Sequence, residues 1–212
     1  MLSFLRASRA RRLCALAVLA FAALWLADRM FPLPLPAGDD GFIVLARDGS
    51  PLRAWPGADG AWRYPVSAAE VSPRYVEALL GYEDRWFRWH PGVNPASLAR
   101  AAWQWATRGR IVSGGSTLTM QVARILEPVP RTPAGKLRQI VRALQLEWHL
   151  GKDDILALYL NHAPMGGIVE GVEMASRAYL GKPSLELSHA EAALLAALPR
   201  APSRLRPDRA PR

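Results

Sequence analysis

Apolar residues follow two patterns along this chain of 212 residues: one uninterrupted run near the amino terminus, and helical spacing through most of the remainder. The run is "LCALAVLAFAALWLA" (Leu13–Ala27), and Met30 and Phe31 extend it. A bilayer needs roughly 20 apolar residues, and the arginines before the run favour the cytoplasmic side. We therefore predict a transmembrane anchor at residues 13–31 after a cytoplasmic basic tail at 1–12. A cleaved signal peptide is the alternative.

Residues 32–66 lack helical spacing. Their first part alternates proline with apolar residues, which is typical of a stiff, extended linker. β-Branched and aromatic residues then indicate two short strands, Phe42–Ala46 and Leu52–Trp55, with a turn at 48–49 between them. Trp62–Val66 has the composition of a third strand. We predict a linker followed by a small β-ribbon.

From residue 67 onward, apolar residues recur at helical spacing, and capping residues precede several of the apolar segments. The predicted helices are Pro73–Phe87, Asn94–Gly109, Ser116–Leu126, Thr132–Gly151, Asp153–Asn161, Ile168–Leu180 and Ser188–Pro199. We therefore predict a mainly α domain at residues 67–200, followed by a basic, proline-rich tail at 201–212.

Composition narrows the partners of this domain. The formal net charge is +9 and half of the residues are apolar, so the chain is not of the disordered class. Cys14 is the single cysteine, which excludes an intrachain disulfide and a Cys/His zinc cluster. Positive charge favours a phosphate-bearing partner. Because the predicted anchor places the domain outside the cytoplasm, nucleic acid is a poor candidate and a pyrophosphate or an anionic lipid is a better one.

The segment "GYEDRWFRWHPG" (Gly81–Gly92) places Glu83 and Asp84 among arginines and aromatic rings. A core segment would avoid the charges, and a solvated surface would avoid the aromatic side chains. A carboxylate in such surroundings is suited to accept a proton from a hydroxyl group. The alternative is an ordinary salt bridge on a helix surface.

The segment "SGGSTLTMQ" (Ser113–Gln121) combines two glycines with the start of a predicted helix. Free backbone N–H groups at a helix amino terminus bind anions. Ser116 and Thr117 add hydroxyl groups, and Gln121 adds an amide. An ordinary capped turn is the alternative, because the segment alone is not specific.

The two segments occur in order as "EDRWFRWHPGVNPASLARA" and "GGSTLTMQVAR", and "LQLEWHLGKDDILALYLNHAPMGG" and "SHAEAALLAALPRAPSRLRPDR" follow them. Together they resemble the glycosyltransferase family 51 domain, the peptidoglycan polymerase of class A penicillin-binding proteins. The resemblance extends from about Phe42 to the end of the chain. It implies a lysozyme-like helical glycosyltransferase domain.

The resemblance also implies a reaction, in which lipid II units are joined into β-1,4 glycan strands and undecaprenyl pyrophosphate leaves with inversion. It implies Glu83 as the general base and places Arg124 and Lys136 near the phosphates of the donor. No cofactor is implied as obligatory, although Mg²⁺ or another divalent cation assists some members. Asp84 is expected to orient its loop and His90 to support the turn. The implied substrate-binding residues are Asp84, His90, Ser116, Thr117, Gln121, Arg124, Lys136 and Glu147.

The sequence departs from the family pattern in several places. Gln139, in "GKLRQ", occupies the position of a usual second catalytic glutamate. A glutamine can bond a phosphate or hold water, but it cannot act as an acid or a base. Glu147, two turns further on, is either a partial substitute or a solvated charge. Trp86 stands at a position that is often basic. The chain has no Ser-x-x-Lys motif, so we assign no transpeptidase chemistry; we expect a monofunctional enzyme or a part of a longer protein.

The favoured hypothesis is a polymerase in the bacterial cytoplasmic membrane, with its domain on the outer side. Its expected partners are lipid II, the nascent glycan strand, the membrane and other wall synthases. One alternative is a lysozyme-like lytic enzyme with Glu83 as general acid. A second alternative is a non-catalytic scaffold for wall synthesis.

Overall fold

The computed structural model describes residues 2–36, 38, 41–48, 51–109 and 115–207. The chain divides into two compact units, Met1–Pro34 and Leu35–Arg212. The first unit consists mainly of helix α1 (Leu2–Met30), whose side chains from position 14 onward are almost all exposed. Within the described ranges, no helix combines the length and the apolar character needed to cross a bilayer. The anchor at residues 13–31 stays a prediction.

The second unit is mainly helical, as predicted, and the predicted β-ribbon is present. Its helices are α2 (Pro73–Glu83), α3 (Pro95–Arg108), α4 (Leu118–Leu126), α5 (Pro133–His149), α6 (Lys152–His162), α7 (Val172–Leu180), α8 (His189–Ala197) and α9 (Pro202–Leu205). Its strands are β1 (Phe42–Leu45), β2 (Pro51–Trp55), β3 (Pro164–Gly166) and β4 (Val169–Glu170). Short 3₁₀ turns cover Ala68–Glu70, Ser184–Glu186 and Leu198–Arg200.

Strands β1 and β2 pair antiparallel, with Phe42 opposite Trp55 and their rings stacked at 4.8 Å between centroids. The turn predicted at 48–49 extends beyond the described residues, because position 49 is not among them. The third strand predicted at Trp62–Val66 was wrong. Trp62 instead forms one parallel bridge to Val169, because its N–H donates to Ile168 and its carbonyl accepts from Glu170. Its backbone groups are thus used by the β3–β4 hairpin.

The core of the second unit lies between α2 and α8 and between α4 and its neighbours α5 and α6. Large side chains from these helices are fully buried, among them Tyr75, Leu79, Leu118, Met120, Leu146, Leu160 and Leu195. Burying one such leucine stabilises the fold by roughly 2 kcal/mol. This packing fixes the carboxyl end of α2 beside the amino end of α4.

Two helix boundaries differ from the prediction in ways that shape the site. Helix α2 ends at Glu83 and not at Phe87, because Asp84 takes an extended conformation with φ −159°. Helix α4 is capped by Thr117 and not by Ser116, and the Thr117 hydroxyl accepts from the Met120 N–H. The capping box predicted at Ser188 is present at the start of α8.

Candidate active site

Glu83 is the last residue of α2, and its side chain is only 6% exposed. Oε2 accepts a hydrogen bond from Gln121 Nε2 at 2.7 Å, and Oε1 accepts one from Arg200 Nε at 2.7 Å. One donor belongs to α4 and the other to the 3₁₀ turn after α8. The sequence predicted Gln121 at this site but did not reveal Arg200. Both carboxylate oxygens are therefore held by groups that are remote in sequence.

Asp84, the next residue, is buried and makes different contacts. His90 Nε2 lies 3.0 Å from each of its oxygens, and the Leu118 N–H donates to Oδ2 at 2.8 Å. Its carboxylate therefore satisfies a free N–H at the start of α4, where the helix dipole favours a negative charge. His90 Nδ1 is buried without a hydrogen-bond partner among the described atoms. These contacts are those of residues that shape the loop after α2.

Thr117 connects this loop to α4. Its hydroxyl donates to the Gly92 carbonyl at 2.5 Å and accepts from the Met120 N–H at 3.2 Å. Gly92 has φ +81°, and a Cβ there would lie 2.7 Å from the Ala143 carbonyl oxygen. Only glycine fits this close approach to α5 without strain. Thr117 thus holds the loop through its hydroxyl.

Lys136 on α5 donates to Ser116 Oγ at 2.5 Å and to Gln139 Oε1 at 3.0 Å. Burial lowers the pKa of Lys136, and the positive charge of Arg124 lowers it further. Both hydrogen-bond acceptors of this ammonium group are uncharged. The Arg124 side chain makes no hydrogen bond or ion pair within the described part of the chain. The two cations therefore present charge that nearby carboxylates do not neutralise.

Gln139 is buried, with 6% of its surface exposed, and both ends of its amide are used. Nε2 donates to the Met120 carbonyl at 2.6 Å, while Oε1 accepts from Lys136. A carbonyl can face only a donor, so these two partners fix the orientation of the amide. Gln139 therefore holds Lys136 in place, and its contacts are to other residues of this chain.

Glu147 belongs to a network beneath the loop after α2. It accepts from Thr119 Oγ1 at 2.6 Å and from Lys152 Nζ at 2.6 Å, and Lys152 also donates to the His90 carbonyl at 2.6 Å. The Glu147 side chain is 11% exposed. It is a paired charge in a partly buried network and not a solvated one.

A cavity of about 220 Å³ lies beside Gln121, the residue that holds Glu83. Its lining includes Gln121, Arg124, Tyr159, His162, Glu170 and Pro199. The Tyr159 hydroxyl is buried without a partner among the described atoms. Burial raises the pKa of Tyr159, and the negative charge of Glu83 raises it further. The arrangement combines a carboxylate, an arginine and neutral donors, which suits a polar ligand bearing a negative charge.

Within the described part of the chain, no group of three or more His, Cys, Asp or Glu side chains converges as a metal site requires. Gln139, which follows Lys136 by one turn of α5, offers an amide oxygen, and Lys136 already donates a hydrogen bond to it. Such a set does not fit a hard divalent cation, which prefers carboxylates. We derive no step through a metal ion.

The family of the chain follows from these features and from sequence comparison. The chain belongs to the transglycosylase family, because the family model described as "Transglycosylase" matches residues 48–212. The family resemblance inferred from the motifs is thereby confirmed.

Individual relatives are penicillin-binding proteins. The chain is 62% identical, over 94% of its length, to penicillin-binding protein 1C of Escherichia coli, and 44% identical over 68% of its length to penicillin-binding protein 1A of Pseudomonas aeruginosa. It covers only 26% and 18% of those two proteins. A 2.6 Å crystal structure of penicillin-binding protein 1A from Haemophilus influenzae aligns with 81% of this chain and 16% of its own, at 22% identity and a TM-score of 0.39.

The sequence predicted most of the residues that meet here. The structure brings Glu83 to Gln121, and it brings Lys136 to Ser116 and Gln139. Ser113 and Gly114 of the glycine-rich segment lie outside the described residues. Sequence reasoning missed Tyr159, which reads as an ordinary helix residue, and Arg200, which reads as part of a basic tail.

We expect Asp84→Ala to destabilise the full chain by about 2–3 kcal/mol, because it leaves the buried Leu118 N–H and His90 without their acceptor. Urea unfolding of the detergent-solubilised protein measures this change. Asp153→Ala is the matched control, since its ion pair with Arg88 is largely exposed, and should cost less than about 1 kcal/mol. Equal losses in the two variants would contradict the role of Asp84.

We expect Gln139→Glu to lower the free energy of unfolding by about 1–3 kcal/mol at pH 8, because a carboxylate oxygen would face the Met120 carbonyl. The loss should shrink as the pH falls toward the ordinary Glu pKa of about 4.3, because a protonated Glu can donate to that carbonyl. Gln145→Glu on the same helix is the control, because Gln145 accepts from Arg142 and a carboxylate can do the same. A Gln139→Glu protein as stable as the control at pH 8 would refute the assigned amide orientation.

Proposed function

We propose that this chain is a peptidoglycan glycosyltransferase that joins lipid II into β-1,4 glycan strands and releases undecaprenyl pyrophosphate. The observation that carries the proposal is the buried Glu83 carboxylate, held by two donors beside a cavity that Arg124 lines. The family and the penicillin-binding relatives support the same reaction. In this proposal the helical domain has the lysozyme-like arrangement that the resemblance implies.

Glu83 acts as the general base in this reaction. Each carboxylate oxygen accepts one hydrogen bond from the protein, and each can accept a second. The hydroxyl of the acceptor sugar can therefore donate to Glu83 as it attacks the anomeric carbon of the donor. General-base catalysis of this kind contributes roughly 10²–10⁴-fold to the rate.

Lys136 and Arg124 stabilise the departing diphosphate. A diphosphate is already a stable anion, so the leaving group needs positive charge more than it needs a proton. Because Ser116 and Gln139 are neutral, the full charge of Lys136 is available to a phosphate oxygen. Gln139 contributes through the position of Lys136, and Ser116 and Thr117 line the approach at the start of α4.

The substrate carries a long lipid, and we propose that the domain works at the outer face of the cytoplasmic membrane with α1 as its anchor. Support comes from the apolar run Leu13–Ala27 in the sequence and from large exposed aromatic side chains of the domain. Among the side chains of the domain that the structure describes, the exposed tryptophans are Trp86, Trp89, Trp103 and Trp148. The nascent glycan strand and other wall synthases are the further partners in this proposal.

A lytic enzyme remains the second candidate, with Glu83 as a general acid. One observation disfavours it: both oxygens of Glu83 accept hydrogen bonds, one of them from a guanidinium group. A general acid must carry a proton on one of its oxygens, whereas hydrogen-bond donors at both oxygens favour an ionised carboxylate that accepts a proton. An assay with finished glycan as the only substrate distinguishes the two reactions, because a lytic enzyme cleaves the glycan and a polymerase leaves it intact.

We expect Glu83→Gln to lower the rate of lipid II polymerisation at least about 100-fold, because the amide cannot take the hydroxyl proton. Labelled lipid II and separation of the glycan products measure the rate. Glu77→Gln, an exposed substitution on the same helix, should leave the rate unchanged. Full activity of the Glu83→Gln protein would exclude Glu83 as the base.

We expect Lys136→Gln to reduce kcat/KM for lipid II by about 10–100-fold, because the developing diphosphate loses a cation whose charge no carboxylate shares. Steady-state kinetics with labelled lipid II provide the measurement. Lys182→Gln is the control, because Lys182 pairs with Glu191 and not with any site residue. If the Lys136→Gln protein has the kinetics of the control, Lys136 does not stabilise the departing diphosphate.

A further inference from the structure

The end of helix α2 is an unfavourable place for a buried carboxylate. Glu83 is the last residue of α2, where free backbone carbonyls concentrate partial negative charge. A cation in the last turn would offset this effect, but the last turn of α2 contains no basic residue. The compensating charge must therefore come from another part of the chain.

Arg200 supplies that charge. Its Nε donates to Glu83 Oε1 at 2.7 Å, and its guanidinium lies over the Tyr82 ring at 4.1 Å from the centroid. It ends the 3₁₀ turn after α8, in which Leu198 is fully buried. Because α8 packs against α2, the core fixes the backbone position of Arg200, whose side chain is 54% exposed.

Glu83 depends on this one arginine for its charge balance. Of the ion pairs among the described residues, Glu83 takes part only in that with Arg200. Its other hydrogen-bond donor, Gln121, is neutral. The two phenols that interact electrostatically with Glu83, Tyr75 and Tyr159, are buried and make no hydrogen bond to it. Burial opposes the charged form of Arg200, yet the hydrogen bond to Glu83, the negative charge of Glu83 and the interaction with Tyr82 together outweigh it and raise the pKa of Arg200.

We propose that Arg200 is a positioning residue that holds the Glu83 carboxylate in the orientation in which it accepts the proton of the acceptor hydroxyl. This inference rests on the function proposed above. Arg200 and Gln121 each occupy one oxygen, so the carboxylate has one orientation and its remaining lone pairs are left for the substrate. Arg200 acts through Glu83, and its loss should therefore change kcat much more than KM.

The test compares Arg200→Ala, Arg200→Lys and Arg204→Ala in the full chain with labelled lipid II. Arg204 is an exposed arginine on α9 whose side chain makes no hydrogen bond or ion pair among the described residues, which makes it a matched control. We expect Arg200→Ala to lower kcat about 10–100-fold with KM within about 3-fold. Arg200→Lys should recover a substantial part of kcat, because it restores the cation. Added guanidinium, but not an equal concentration of NaCl, should raise the rate of Arg200→Ala.

Two results would overturn the inference. The first is full kcat in Arg200→Ala while Glu83→Gln is inactive. The second is an equal loss in Arg200→Ala and Arg200→Lys, with no response to guanidinium and a matching drop in thermal stability, which would mean that Arg200 only ties α8 to α2.

A readout that does not depend on activity separates this inference from the proposed function. The ¹³C resonance of the Glu83 carboxyl, assigned through its absence in Glu83→Gln, should move in Arg200→Ala at neutral pH and stay in place in Arg204→Ala. If the wild-type chain does not polymerise lipid II, a moved resonance still supports the positioning of Glu83 while the polymerase function fails. An unmoved resonance overturns the positioning role whatever the activity.

Discussion

The buried carboxylate of Glu83 at the carboxyl end of α2 is the constraint on which the rest of the site depends. Neither the helix dipole nor burial favours a negative charge at this point. Its two donors lie 38 and 117 residues further along the chain. Both donors reach the carboxylate only when α4 and the turn after α8 have packed against α2, so the same core that folds the domain assembles the proposed general base.

Two consecutive acids at this helix end meet different requirements. Asp84 is engaged by His90 and by the first N–H of α4, so it shapes the loop and the helix start. Glu83 accepts a hydrogen bond from Gln121, and Gln121 lines the cavity. Because the chain turns sharply between them, adjacent residues of like charge face different surroundings, and the repulsion between them is offset by separate partners.

The sequence predicted the local features well and the long-range ones poorly. Capping residues located the starts of α5 and α8, and the motifs indicated Glu83 and Gln121. Trp62 was misassigned because a β-like composition does not reveal which partner strand is available, and its partner lies more than 100 residues away. Arg200 was missed for the same reason: nothing around it in sequence differs from a solvated basic tail, and only packing of α8 on α2 brings it to Glu83.

The most direct test supplies the purified full chain with labelled lipid II as its only substrate and follows linkage formation and lipid release together. If a carboxylate base joins the sugars and a diphosphate departs, the products should include glycan strands longer than a tetrasaccharide. It also predicts one undecaprenyl pyrophosphate released for each new β-1,4 bond. Cleavage of finished glycan by a chain that leaves lipid II unchanged would contradict the account.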